Sequence, residues 1–139
     1  MATYTSGPKQ APRTSLVPSG EYLLEVLNAE DGVSEKSGND KIELKFEVVL
    51  PDGEPGPIVY DTLVFVANAA WKIDQFRAAI GEEVVEGEEV EVNPDDFIGK
   101  RLRARLTQER DRTDKTKKRN RIGSYLERKP GEESDDIPF

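Results

Sequence analysis

From Gly20 onward the chain alternates apolar and polar side chains in short runs, the period of strands with one buried face. In "GEYLLEVLNAE", residues 20–30, Tyr22, Leu24 and Val26 alternate with Glu21, Leu23 and Glu25 and predict a first strand. After a polar turn region with two glycines, residues 30–40, "KIELKFEVVL" turns Ile42, Leu44, Phe46 and Val48 one way and Lys41, Glu43, Lys45 and Glu47 the other, a second strand. The turn "PDGEPGP" leads into "IVYDTLVFV", whose β-branched and aromatic content predicts a third. The period then changes. "NAAWKIDQFRAAIG" sets Ala69, Ile73, Phe76 and Ile80 on one helical stripe and ends on Gly81, a natural C-cap. "NPDDFIG" reads as a turn or short helix capped by Asn93. "KRLRARLTQ" returns to alternation, Leu102, Ala104 and Leu106 against Arg101, Arg103 and Arg105, and "RIGSYLER" sets Ile122, Ser124 and Leu126 against Arg121, Gly123 and Tyr125.

Five strands with one helix between the third and fourth predict a mainly β protein, a five-stranded OB-fold barrel. A five-stranded sheet packed on one helix with another connectivity is the rival. Residues 1–19, rich in Pro, Ser, Thr and Gly, read as a flexible N-terminal arm, 20–128 as the folded domain and 129–139 as an acidic C-terminal tail.

Charge changes the picture more than overall composition does. The net charge of −8 divides into −13 over residues 1–99, +9 over 100–129 and −4 over 130–139, a basic block between an acidic body and an acidic end. Cysteine and histidine are both absent. That removes thiolate nucleophiles, imidazole bases, disulfides and the usual zinc ligand sets, and with them most enzyme chemistry; no cofactor is expected. No apolar window approaches a membrane span, and the N-terminal segment lacks the apolar run of a secretory signal, so a soluble cytoplasmic protein with no membrane partner is expected.

The basic block lies in and around the connection between the last two strands, where Arg110, Arg112, Lys115, Lys117, Lys118 and Arg119 fall. Beside the row Arg101, Arg103 and Arg105, these cations make an electrostatic track for a phosphate backbone; a solvated basic hairpin is the plain alternative. Period-two alternation puts Arg121 and Tyr125 on one face, and a cation next to a ring suits unpaired bases. Tyr125 could equally be a strand-end residue with a half-buried ring. On the third strand, turning Tyr60 and Thr62 outward buries Leu63 and Phe65 and sends Asp61 toward the core; this choice is preferred, and it sets Tyr60 on the binding face with Lys45. Trp71 falls off the helical stripe, either plugging the barrel end or standing exposed beside Lys72 as a stacking ring. The acidic stretch Glu82 to Glu91 has no metal-ligand spacing and reads as a solvated connector.

The chain ends on "SDDIPF", an apolar tripeptide behind two acids. Asp135, Asp136, Ile137, Pro138 and Phe139 resemble the C-terminal tip of bacterial single-stranded DNA-binding proteins, which in that family recruits repair and replication proteins. Residues 20–127, in "GEYLLEVLNAEDGVSEKSGNDKIELKFEV", "VYDTL" and "FRAAIG", are similar to small phage-encoded proteins of recombination and replication cassettes. The resemblance implies a non-catalytic OB-fold protein that coats single-stranded DNA and recruits replication or recombination partners through its tail; a homodimer is left open. Two other classes compete: an acidic DNA mimic that occupies a DNA-processing enzyme, and a metal-dependent nuclease using Asp95 and Asp96.

Overall fold

The computed structural model describes residues 2–5, 16–52, 54–111 and 113–127. Five strands, β1 (Gly20–Val33), β2 (Asp40–Val49), β3 (Pro55–Val64), β4 (Arg101–Arg110) and β5 (Lys118–Leu126), form one antiparallel sheet in the order β3-β2-β1-β4-β5. Helix α1 (Ala70–Ala79) lies between β3 and β4, preceded by a 3-10 turn at Ala67–Ala69, and a second 3-10 turn, Pro94–Asp96, leads into β4.

The alternation of β2 is the plainest cause of the fold. Ile42, Leu44, Phe46 and Val48 are all fully buried, and β1 and β3 flank them with Leu24, Val26, Val59 and Leu63. Helix α1 packs chiefly against β5 and β3 and adds Ile73, Phe76 and Ala79 to this core, and Ile80 follows them before Gly81, at φ 91°, takes the left-handed turn that ends the helix. Phe76 meets Phe97 edge-on at 5.0 Å and Tyr125 at 5.2 Å, so the helix, the second 3-10 turn and β5 share one aromatic knot. Each such side chain contributes roughly 1.5–3 kcal/mol on burial, against about 0–1 kcal/mol for an exposed ion pair. The apolar pattern therefore decides the fold, and the surface charges are free to serve other ends.

Three irregularities bend the sheet. In β1 the register skips Leu27 between Val26 and Asn28, and the buried positions shift from Leu24 and Val26 to Ala29. Opposite Val48, β3 spends two residues, Gly56 and Pro57, where one would do; a Cβ at Gly56 would lie 2.2 Å from the Val48 carbonyl oxygen, so only glycine passes. In β5, Ile122 pairs with Leu106 and Ser124 with Arg105, leaving Gly123 as the extra residue.

The third irregularity corrects the expected face of Tyr125. Strict alternation puts Tyr125 with Arg121, facing outward. The bulge at Gly123 reverses the parity, so Asn120, Ile122 and Tyr125 face inward while Arg119 and Arg121 face out. Tyr125 is 3% exposed, packed against Phe46 and Phe76, and no base can stack on it.

The sheet is not closed into a barrel. Its two edge strands, β3 and β5, come together through side chains instead of a backbone ladder. The Tyr125 hydroxyl donates to Asp61, Gln75 of α1 accepts from the Tyr125 amide at 2.8 Å, and Lys72 of α1 donates to the Thr62 carbonyl at 3.1 Å. The helix thus satisfies an edge group of each strand.

The folded body also begins earlier than the strand pattern suggests. Val17 is buried, and Asn120, the one buried polar residue among those described, holds its backbone from both sides: its Oδ1 accepts from the Val17 amide and its Nδ2 donates to the Val17 carbonyl. Gln108 donates to the same carbonyl at 2.8 Å. Most of the expected arm, residues 6–15, and the tail lie outside the described residues.

Candidate functional site

Where β3 and β5 meet, a groove of about 430 Å³ is lined by Tyr60, Asp61, Thr62, Lys72, Glu109, Arg119, Arg121 and Ile122. Strand parity builds it. On β3, Val59 and Leu63 face the core and Tyr60 and Thr62 face out, as preferred from the sequence; the Tyr60 ring is 66% exposed. Lys45 is the register partner of Tyr60 on β2, so the two side chains stand side by side on the outer face. On β5 the residues before the bulge, Arg119 and Arg121, turn outward opposite Glu109 and Thr107 of β4.

Asp61 occupies the floor. Lys72 donates to its Oδ1 at 2.6 Å, the Thr62 amide donates to the same oxygen at 2.8 Å, and the Tyr125 hydroxyl donates to Oδ2. A carboxylate turned toward the core is thereby matched by three donors, which the sequence pattern alone leaves as an unexplained cost. Burial, and then the negative charge and hydrogen bond of Asp61, push the Tyr125 hydroxyl well above its ordinary value of 10.0, so Tyr125 is a fixed donor.

The wall opposite Tyr60 is an ion cluster that joins Glu109, Arg119 and Arg121 among the described residues. Arg119 donates to Glu109 Oε1 through Nε at 2.9 Å and Nη2 at 2.6 Å, and Arg121 Nη1 lies 3.4 Å from Oε2. Beyond it the β4–β5 hairpin carries Arg110, Lys115, Lys117 and Lys118, all exposed and in no ion pair among the described residues; Arg112 lies outside them. The hairpin tip is more ordered than a basic finger need be. Asp111 accepts from the amide and hydroxyl of Thr113, and Asp114 from the amide and hydroxyl of Thr116. The Thr113 amide and then its hydroxyl hold the Asp111 carboxyl below its usual range.

The other expected site residues fall elsewhere. Arg101, Arg103 and Arg105 share one face of β4 as anticipated, but that face adjoins β1, where Glu25 and Glu21 are the register partners of Arg101 and Arg105 and bond to them at 3.1 Å each. None of the three lines the groove. Trp71 does not plug the sheet end: its ring is 62% exposed, next in the chain to Lys72 but not in the groove wall. Asp95 and Asp96 sit exposed on the second 3-10 turn, whose Asn93 cap accepts from the Asp95 amide. Asp135, Asp136, Ile137, Pro138 and Phe139 lie outside the described residues.

Three contributors escaped the sequence pattern: Asp61 as a bonded floor, Gln75 as an edge cap, and Glu109 among the arginines. Glu109 alone carried a signal, because it shares its strand face with Arg105 and Thr107 in a stretch dominated by cations. A second hollow of about 460 Å³, between Asp31, Val33, Asp40, Phe65, Val90 and Val92, has apolar walls and two carboxylates and offers no cation among its lining residues.

Fold and groove together define a small, mainly β protein with a cation-rimmed seam between its sheet edges. The chain belongs to the family described as protein of unknown function (DUF669), whose model matches residues 3–132. It matches no curated protein.

Proposed function

We propose that the protein is a non-catalytic single-stranded DNA-binding protein of phage replication or recombination, built on a partly open OB-fold. The strand order, with the helix between the third and fourth strands and the sheet edges drawn together, fits the five-stranded, partly open Greek-key barrel that binds oligonucleotides on its strand 2–3 face and at the loop joining strands 4 and 5. The observation that carries the reading is the exposed Tyr60 ring between Lys45 and the Lys72, Arg119 and Arg121 groove, beside a hairpin whose Arg110, Lys115, Lys117 and Lys118 make no ion pair among the described residues. Bases stack on a ring while phosphates meet lysine and arginine, and neither contact reads sequence. The tail Asp135 to Phe139 then serves as the tether for replication and recombination proteins.

Fluorescence titration with oligo-dT at two salt concentrations tests the reading. If about five phosphates are neutralised, log affinity falls against log salt with a slope near −3.5, and Tyr60→Ala weakens binding by about 1–3 kcal/mol while leaving the fold intact. Absence of direct binding to any oligonucleotide overturns the proposal in favour of a DNA mimic. Equal or tighter binding to oligo-U moves the ligand to RNA.

A further inference from the structure

The groove contains its own acid at the position best suited to a phosphate. Glu109 meets Arg119 through both Nε and Nη2 on one oxygen and reaches Arg121 with the other. A single carboxylate therefore fills the donor fork of one arginine and engages a second, as a phosphate oxygen pair would. The cluster is solvent-accessible, with side-chain exposures of 30% for Glu109, 41% for Arg119 and 58% for Arg121. It contributes at most weakly to stability, because an exposed pair is worth about 0–1 kcal/mol. Its partner across the groove is different: Asp61 is bound by Lys72, the Thr62 amide and Tyr125 at once, and cannot leave without stripping an edge strand of its support.

We propose that Glu109 is a built-in competitor for phosphate, a specificity-setting residue that holds Arg119 and Arg121 in place and must be displaced before the groove engages nucleic acid. The inference rests on the single-strand-binding reading of this groove. Its physical effect is selective. Ligands that offer only negative charge exchange one carboxylate for another anion and gain little, whereas a strand that also stacks on Tyr60 gains a term that Glu109 does not oppose. The hairpin cations Arg110, Lys115, Lys117 and Lys118, which pair with no acid among the described residues, make the first contact.

Glu109→Gln keeps the side chain's size and removes its charge. With one more phosphate neutralised, the salt slope for oligo-dT steepens by about 0.7, which corresponds to binding about tenfold tighter near 50 mM salt and about threefold tighter near 200 mM. The ratio of oligo-dT affinity to heparin affinity falls in the variant. Glu88→Gln, the same charge change on the exposed connector, leaves the slope as it was, and Glu109→Gln adds nothing in an Arg119→Gln/Arg121→Gln background. A wild-type protein that binds oligo-dT while Glu109→Gln binds equally or more weakly, with unchanged thermal unfolding, overturns this inference and leaves the binding reading standing. An equal gain from Glu88→Gln also overturns it, since net charge would then be the cause. A wild-type protein that binds no oligonucleotide ends both.

Discussion

Tyr60 and Tyr125 show how one residue type takes two roles within a few ångströms of the same groove. Tyr60 presents its ring to solvent; Tyr125 sits beneath the groove and donates its hydroxyl to the floor carboxylate. Removing that hydroxyl leaves Asp61 short of a donor in a half-enclosed position, so Tyr125→Phe is expected to lower unfolding free energy by roughly 1–3 kcal/mol, measured by urea denaturation. The pH dependence has a definite sign. Because the folded protein holds the Tyr125 proton more tightly than the unfolded chain, the stability linked to it is fully present below the ordinary value of 10.0 and is lost as pH rises from there toward the raised folded value. The Phe variant loses that part of the alkaline decline. A variant as stable as wild type, with an unchanged alkaline slope, would show that Asp61 needs only Lys72 and the Thr62 amide.

At the scale of elements, β2 and α1 were open to sequence reading, whereas for β5 the strand was legible but the facing of its last residues was not, for a physical reason. Period-two alternation is reliable while each residue faces one partner, as from Ile42 to Val48, and the helical stripe from Ile73 to Ile80 is equally regular. A bulge breaks that premise. Gly123 was visible as a glycine in a strand, a known mark of a bulge, but which side of it kept the original parity depends on the pairing with Arg105 and Leu106, which only the register reveals. Tyr125 was misplaced for this reason, and the arginine row of β4 was placed correctly on one face beside β5, while its acidic partners Glu21 and Glu25 of β1, far away in sequence, went unseen. The same blindness to long-range pairing hid the Val17 anchor. Asn120 exchanges two hydrogen bonds with the Val17 backbone inside the protein, and Asn120→Ala strips both partners at once. We expect a loss of roughly 1–3 kcal/mol or more, with faster amide exchange at Val17 as the specific signature. Global destabilisation with Val17 still protected would assign the anchor to Gln108 instead.

Over the whole molecule, charge is sorted by element: acids dominate residues 1–99, and the β4–β5 hairpin concentrates cations, Arg110, Lys115, Lys117 and Lys118 among the described residues. On the proposed function, a net-acidic body with its cations concentrated at that hairpin and the groove behind it would orient the approach of a polyanion. The tail adds acids of its own ahead of Phe139. Deleting Phe139 alone is expected to spare oligo-dT binding and abolish capture of purified replication or recombination proteins in a pull-down; retention of every partner would reduce the tail to a solubilising end. The seam between β3 and β5 has a mechanical meaning as well. Four strand junctions are laced by rows of backbone bonds that resist shear together, and the fifth is a clasp made of Tyr125, Asp61, Gln75 and Lys72. Load applied across the two edges reaches those few side chains first, so the sheet can spring open there, and close again, before any ladder is touched.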